Sequence, residues 1–285
     1  MARLELSGVT VAYDNFTLSN VSFSMDRGET IALIGRNGAG KTTTIDAVMG
    51  LANRRSGGVY CDGEPVTRAN VHRFKQRIGY VGAALDYYPN IRVDTFLRVV
   101  SGFYDRWDRA AMARYLPAFG IDPGRKLSQL SGGTKVKLSL AIALSHAAEI
   151  FLLDEPTSGL DPIVREQVLE ILAKLAGERD ACILFSTHIT QGVEKIASRI
   201  LFLVDGALAL DADMEALNAR FVKLRLDDPR LEGAARGGVI INDRLIVLER
   251  ADAPAGALDL CERVPLRIED VLIYLNGGVR DAPAD

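Results

Sequence analysis

The chain of 285 residues is long enough for one large α/β domain and a small second unit. Its net charge of −3 excludes a global basic field that would attract nucleic acid, and its three scattered cysteines exclude a disulfide framework. Because residues 1–5 carry no signal region and no apolar run could cross a bilayer, we expect a cytoplasmic protein.

Short alternating segments over residues 3–34 predict an antiparallel sheet that leads into a buried strand at residues 31–34. A glycine-rich turn follows, and residues 45–49 suit a helix. Between a strand and a helix, glycines let successive backbone N–H groups surround phosphate oxygens, which predicts a phosphate-binding loop. Its residues are Gly35, Arg36, Asn37, Gly38, Ala39, Gly40, Lys41, Thr42 and Thr43.

The side chains around this loop predict a nucleotide and a metal ion. Lys41 would reach the β- and γ-phosphates, and Thr42 would offer its hydroxyl to Mg²⁺. Upstream, Tyr13 is either an adenine-stacking ring or an ordinary strand tyrosine. The alternative for the loop itself, a flexible linker before a helix, leaves the preceding buried strand unexplained.

The middle of the chain predicts a helical insert in the α/β core, at about residues 85–146. Before it, residues 57–63 predict a hairpin and residues 78–81 another core strand. Apolar side chains then recur at helical spacing, and they form either core or a docking face for another protein. The stripe consists of Phe96, Val99 or Val100, Phe103 and Trp107.

A second candidate anion site precedes a helix predicted at about residues 135–146. Ser131, Gly132 and Gly133 would present backbone N–H groups at the start of that helix. Alone this is a weak signal, because capping serines followed by glycines are common. Its position between two nucleotide-binding motifs strengthens it.

An apolar run at residues 150–153 predicts a parallel strand whose carboxyl end delivers Asp154 and Glu155 to a site. We expect Asp154 to hold Mg²⁺ and Glu155 to polarise an attacking water. Another apolar strand, at residues 181–185, is followed by His188, whose place at a strand end distinguishes it from His72 and His146.

In combination these motifs resemble the ATP-binding subunits of ABC transporters, over about residues 3–210. The Walker A loop is residues 35–43, the signature is residues 130–133, and the Walker B strand ends at Asp154 and Glu155. The D-loop at residues 158–161 and the switch His188 complete the set. By this resemblance Tyr13 stacks on adenine, Glu155 is the general base and His188 contacts the γ-phosphate.

The resemblance implies an α/β fold: a P-loop NTPase (RecA-like) core with an N-terminal antiparallel β subdomain, a helical insert and a small α+β C-terminal extension. Two positions depart from the family pattern. Ala83 stands where a lid Gln is usual, which puts the lid contact to metal and water in doubt, with Asp86 as a possible substitute. Thr134 stands where Gln is commonest in the signature, a position that tolerates change.

The domain prediction is a cassette at residues 1–210 and an accessory region at residues 211–285. The accessory region is more acidic than basic, and we expect strands at residues 222–226 and 239–248, the latter a hairpin around residues 242–243, and a helix at residues 268–275. Together with the helical insert, this extension resembles the bacterial exporter-type branch that pairs with separate type-2 permeases.

The predicted function is an ATPase subunit that uses ATP and Mg²⁺ and forms a head-to-tail dimer with a second copy or a paralogous subunit. It would drive an integral membrane permease, in the direction of export, from the inner face of the cell membrane, without nucleic acid. The alternative is a catalytically weak or regulatory ABC-type ATPase that is not coupled to transport, which the absent lid Gln leaves open. A G protein would need an Asn-Lys-x-Asp motif, and the chain has none.

Overall fold

The computed structural model describes residues 3–82, 88–178, 180–225, 238–242, 245–253 and 263–277. The strands in these ranges are β1 (Leu4–Tyr13), β2 (Phe16–Met25), β3 (Thr30–Ile34), β4 (Arg54–Cys61), β5 (Glu64–Pro65), β6 (Ile78–Val81), β7 (Ile150–Asp154), β8 (Cys182–Thr187), β9 (Arg199–Val204), β10 (Ala207–Ala212), β11 (Phe221–Arg225), β12 (Val239–Asn242), β13 (Leu245–Glu249) and β14 (Arg263–Val264). The α-helices are α1 (Lys41–Val48), α2 (Val71–Lys75), α3 (Val93–Ser101), α4 (Arg109–Ala118), α5 (Gly132–Ser145), α6 (Pro162–Glu178), α7 (Met214–Arg220) and α8 (Ile268–Leu275).

The central layer is a six-stranded sheet in the order β10-β9-β3-β8-β7-β6. All neighbouring pairs are parallel except β9 with β10. Every residue of β3, β7 and β8 is buried, which accounts for their continuous apolar sequences. Because these strands run in the same direction, the residues that follow them meet at one edge of the sheet.

A separate antiparallel sheet, in the order β2-β1-β4-β5, forms the predicted N-terminal subdomain. The hairpin of β4 and β5 confirms the hairpin prediction, and its turn residues Asp62 and Gly63 both have positive φ angles. Arg3, just before β1, lies 2.8 Å from Asp62 in the hairpin turn of the same sheet and 2.9 Å from Glu149, just before β7, so the second ion pair attaches this sheet to the central layer.

The helical insert has a hydrophobic core of its own, built from α3, α4 and α5. The prediction of one continuous apolar helix face is wrong in part, because α3 ends at Ser101 and the chain turns there. Phe96 and Trp107 pack against the insert core, whereas Val99 is 56% exposed and Phe103 is 69% exposed. The stripe is therefore divided between core and surface.

One side chain ties the insert to the edge of the central sheet. Gln76, two residues before β6, donates from Nε2 to the carbonyl oxygen of Phe103 at 2.7 Å. Its Oε1 accepts from the backbone N–H of Asp105 at 3.1 Å. Both hydrogen-bonding groups of this one amide are thus used by the turn after α3.

The C-terminal region forms a third sheet, in the order β12-β13-β11-β14, with α7 and α8 against it. This confirms the predicted strands and helix there, although residues 226 and 243–244 lie outside the described residues. Its side chains share a core cluster with the central sheet: Phe221, Val247 and Ile268 join Ala32 and Ile34 of β3. Core packing therefore connects the accessory region to the strand that leads into the phosphate loop.

Within the described ranges, no helix combines the length and apolar character required to cross a bilayer. Cys61 and Cys182 are buried free thiols, and Cys261 lies outside the described residues.

Candidate functional site

The glycine-rich turn joins β3 to α1 at the carboxyl edge of the central sheet. Gly40 has a φ of 107°, and a Cβ there would lie 2.9 Å from both Leu18 and Phe16, so only glycine fits. The turn therefore packs against the β1–β2 hairpin. The helix begins directly at Lys41, and its first N–H groups point toward the turn, which is the arrangement of an anion site.

Lys41 is the most constrained cation of this edge, with only 6% of its side chain exposed. Its Nζ donates to the carbonyl oxygens of Gly35 at 2.8 Å and Arg36 at 3.2 Å. The same Nζ lies 3.1 Å from Glu155 Oε1. Three acceptors therefore occupy the three N–H groups of the ammonium.

Asp154, at the end of β7, is 1% exposed and has a partner for each carboxylate oxygen. Thr42 Oγ1 donates to Oδ2 at 2.7 Å, and Ser186 Oγ donates to Oδ1 at 2.6 Å. Ser186 Oγ also accepts from the backbone N–H of Glu155 at 2.9 Å. One hydroxyl thus fixes both the carboxylate of Asp154 and the backbone of the residue that follows it.

Sequence reasoning did not select Ser186. The available signal was its position: it is the first polar residue after an apolar run, on the strand that pairs with β7, so the parallel register places it opposite Asp154.

The surroundings of Asp154 suit a divalent cation. Burial and the nearby Asp154 carboxylate raise the pKa of Asp46, on α1. Burial, with Asp46 and Asp154 close by, also raises the pKa of Tyr80 to about 12. A hydroxyl and a carboxylate are ligands that Mg²⁺ prefers, and Mg²⁺ usually takes its remaining ligands from phosphates and water. The residues present therefore fit Mg²⁺ with phosphate and water as further ligands, since the described part of the chain contains no group of three or more His, Cys, Asp or Glu that could hold a metal ion by itself.

Glu155 and His188 lie together at the same edge. His188 Nδ1 is 2.9 Å from Glu155 Oε2, and the histidine is 38% exposed. Glu155 adopts a φ of 51°, which is uncommon for a residue with a side chain. Glu155 thus contacts both Lys41 and His188, and its position depends on the strained turn that follows β7.

Tyr13 lies at the end of β1, paired in register with Phe16 across the hairpin, and is 52% exposed. The ring of its hairpin partner Phe16 lies against the Gly40 position of the phosphate loop. The ring surface of Tyr13 is available for stacking.

The signature residues start α5, three residues earlier than predicted. Ser131 caps the helix: its Oγ accepts from the backbone N–H of Thr134 at 3.2 Å. A Cβ on Gly133 would lie 2.4 Å from Val164 Cγ1, so this segment packs tightly on the start of α6. Ser131 and Gly132 remain exposed.

A cavity of about 720 Å³ opens at the phosphate loop. Its described lining contains none of residues 131–133. The lining consists of Gly35, Arg36, Asn37, Gly38, Ala39, His188, Val204, Asp205, Leu272, Leu275 and Asn276. Ala83 and Asp86 lie outside the described residues, so the lid position stays a prediction.

Comparison with known proteins identifies relatives among ABC transporter proteins. A family model described as "ABC transporter" matches residues 18–158. The ABC transporter ATP-binding protein YtrB of Bacillus subtilis is 30% identical over 224 residues, 78% of this chain and 76% of that protein. Nod factor export ATP-binding protein I of Burkholderia orbicola is 34% identical over 223 residues, 76% of this chain and 73% of that protein.

Solved structures agree in fold. The structure of an ATP-binding subunit of an ABC transporter is 26% identical, with a TM-score of 0.67, and the match covers 75% of this chain and 91% of that one. A dimeric bacterial ABC transporter cassette, 24% identical, has the same TM-score and is matched over 74% of this chain and 98% of its own length. The P-loop α/β core, the antiparallel subdomain and the helical insert are thus confirmed.

Proposed function

Since this chain belongs to the ABC transporter family, as a subunit that binds and hydrolyses ATP, we propose that it acts in a head-to-tail dimer with two shared ATP sites. The second subunit is another copy or a paralogous subunit. In each site the phosphate loop of one subunit faces Ser131, Gly132 and Gly133 of the other.

One observation supports an ATP site shared between two subunits. Ser131 and Gly132 lie at the start of an α-helix and are exposed, yet they do not line the cavity at the phosphate loop. Two anion-binding elements on different surfaces of one chain can grip one nucleotide only if two chains combine. The head-to-tail arrangement satisfies this condition twice, once at each site.

We assign a role to each residue of the site. Residues 35–43 bind the phosphates, with Lys41 at the β- and γ-phosphates, and Tyr13 stacks on adenine. Thr42 and Asp154 hold Mg²⁺, which would neutralise charge on the phosphate oxygens. Glu155 is the general base and His188 contacts the γ-phosphate. The contacts among Lys41, Glu155 and His188 support these assignments.

The contacts of Lys41 suggest how base activity depends on nucleotide. Its three N–H groups are taken by Gly35, Arg36 and Glu155, so a phosphate oxygen must replace one of these acceptors. Chemistry depends on replacing Glu155: once a phosphate oxygen takes its place at Lys41, the carboxylate becomes available to a water molecule. On this proposal, ATP binding and activation of the base are one event.

The membrane partner would be a separate permease subunit of the type-2 class, with this chain peripheral at the inner face of the cell membrane. Support comes from a groove of about 400 Å³ between the central sheet and the insert, whose wall includes Tyr80, Phe96 and the exposed Phe103. We propose export as the direction, because relatives of this chain include a protein named for Nod factor export. Residues 1–210, with the insert at about 85–146, form the cassette, and residues 211–285 the accessory region.

The test combines turnover with size in solution. We expect Lys41→Ala to abolish ATP binding and Glu155→Gln to preserve binding while lowering turnover by ~10²–10⁴, the usual contribution of a general base. Glu155→Gln should dimerise when ATP is added. Ser131→Arg in that background should prevent dimerisation, whereas Ser56→Arg, at an exposed serine of β4 outside the site, should not. A single unchanged species in all variants, with and without ATP, contradicts the shared site.

A further inference from the structure

A buried ion pair holds α8, the last helix of the described residues, in place. Lys223 Nζ, on β11, lies 2.9 Å from both carboxylate oxygens of Asp270, and these side chains are 8% and 6% exposed. Asp270 Oδ2 also accepts from the backbone N–H of Arg267 at 2.8 Å, which caps the helix. Tyr274 packs edge-on against Phe221, with ring centroids 5.2 Å apart. These contacts fix the direction of α8 relative to the accessory sheet.

The carboxyl end of α8 lies at the mouth of the phosphate loop. Leu272, Leu275 and Asn276 line the same cavity as the loop and His188. All three side chains are only partly buried. The accessory region therefore supplies one wall of the mouth through which the second subunit would reach the nucleotide.

We propose that the end of α8 is an interaction surface for a second copy of this chain and contributes to the ATP-bound dimer; this rests on the function proposed above. A subunit that covers the phosphate loop and His188 also covers the other groups around the same cavity. The exposed parts of Leu272 and Leu275 then leave water, which favours association. The accessory region thus adds to the stability of the closed dimer.

The surface of the second copy offers a complementary apolar group. Gly133 packs on Val164 of α6, so the signature and the start of α6 belong to one surface. The neighbouring Ile163 is 73% exposed, so its aliphatic side chain is available for a contact. Apolar surface is therefore present on both sides of the proposed contact.

The experiment measures the dimer dissociation constant with ATP in the Glu155→Gln background by sedimentation. We expect Leu275→Ala to weaken the dimer by ~10–100-fold, because a symmetric dimer carries the substitution twice and each loses part of a buried leucine. Ile240→Ala is the matched control: this β12 residue of the same accessory region is 48% exposed and lies outside the cavity. It should leave the dimer constant unchanged. The dimer constant is measured at saturating ATP, so that a change in the nucleotide affinity of the monomer does not alter it, and binding of a fluorescent ATP analogue to the Ile240→Ala monomer should stay within ~2-fold.

Asn276→Trp provides a second variant, which adds bulk at the helix end without removing a core side chain. It should also weaken the dimer, and its melting temperature shows whether the fold is intact. If Glu155→Gln dimerises with ATP, and adding Leu275→Ala or Asn276→Trp leaves its dimer dissociation constant unchanged, the inference about α8 is wrong and the proposed function stands. If Glu155→Gln remains monomeric with ATP, the shared site and the inference about α8 both fail.

Discussion

The buried pair of Lys223 and Asp270 allows a quantitative prediction about the accessory region. Lys223→Met keeps the length of the side chain and removes the ammonium, so the Asp270 carboxylate, 6% exposed, keeps only the N–H of Arg267 among the donors described above. Removing one partner of a buried ion pair typically costs about 3–5 kcal/mol, because the other charge stays buried without compensation. We expect a loss of that size in the free energy of unfolding of the accessory region.

Hydrogen exchange measured by mass spectrometry checks this locally, at the amides of β11 and α8. The sole Trp, Trp107, lies in the insert, so its fluorescence would report on another part of the molecule. A matched control is Arg220→Met, because the pair of Arg220 with Glu249 is 49% and 27% exposed and should contribute less than about 1 kcal/mol.

The double variant Lys223→Met/Asp270→Leu separates charge from packing. Because it removes both charges, it should recover the loss except for about 1 kcal/mol, since Asp270 no longer caps α8 through the N–H of Arg267. The reasoning is refuted if Lys223→Met costs no more than Arg220→Met, or if the double variant is as unstable as the single one.

Three further predictions concern other sites. Ser186→Ala should raise the Mg²⁺ concentration needed for tight binding of a fluorescent ATP analogue, because Asp154 loses the hydroxyl that donates to it at 2.6 Å. Ser186→Thr keeps a hydroxyl and should restore the original Mg²⁺ requirement. The same Mg²⁺ requirement in both variants would contradict this role. Burial lowers the pKa of His146 to about 4, below the ordinary 6.5. As the pH drops from 6.5 to 4, the unfolded chain therefore binds a proton at this residue before the folded chain does. The free energy of unfolding should fall over this range by up to about 3 kcal/mol from His146. His146→Phe, which can stack on Tyr104, should flatten that decline in urea unfolding, and an unchanged slope would count against it. Ala83→Gln should raise the basal ATP turnover of the purified subunit, and unaltered turnover would speak against a missing lid contact.

The motifs were predictable because each consists of residues adjacent in sequence at the end of a buried strand. The apolar segments that precede the phosphate loop and Asp154 are typical of buried parallel strands, and both do pair in parallel with β8. Parallel strands bring their carboxyl ends together, which places the motifs at one edge. Ser186 could not be chosen this way, because its importance depends on the register between β7 and β8, which no single segment reveals. The end of α3 was misjudged because apolar spacing continued through Phe103 and Trp107 after the helix had stopped.

The place of α8 was beyond sequence reasoning for a different reason. Its apolar residues predicted a helix, and residues 268–275 do form one, but periodicity does not say which surface a helix packs against. That information resides in tertiary contacts such as the pair of Lys223 and Asp270, which are 47 residues apart.

The amide of Gln76 has a mechanical consequence for the whole cassette. It holds the turn after α3 by two hydrogen bonds, and it lies two residues before β6, whose neighbour in the sheet is β7. A continuous path of hydrogen bonds therefore runs from the backbone of Phe103, on the groove, through Gln76 to the outermost parallel strand, and from there across one ladder to the strand that carries Asp154. A partner bound at the groove would contact the start of this path, and the catalytic edge lies at its other end.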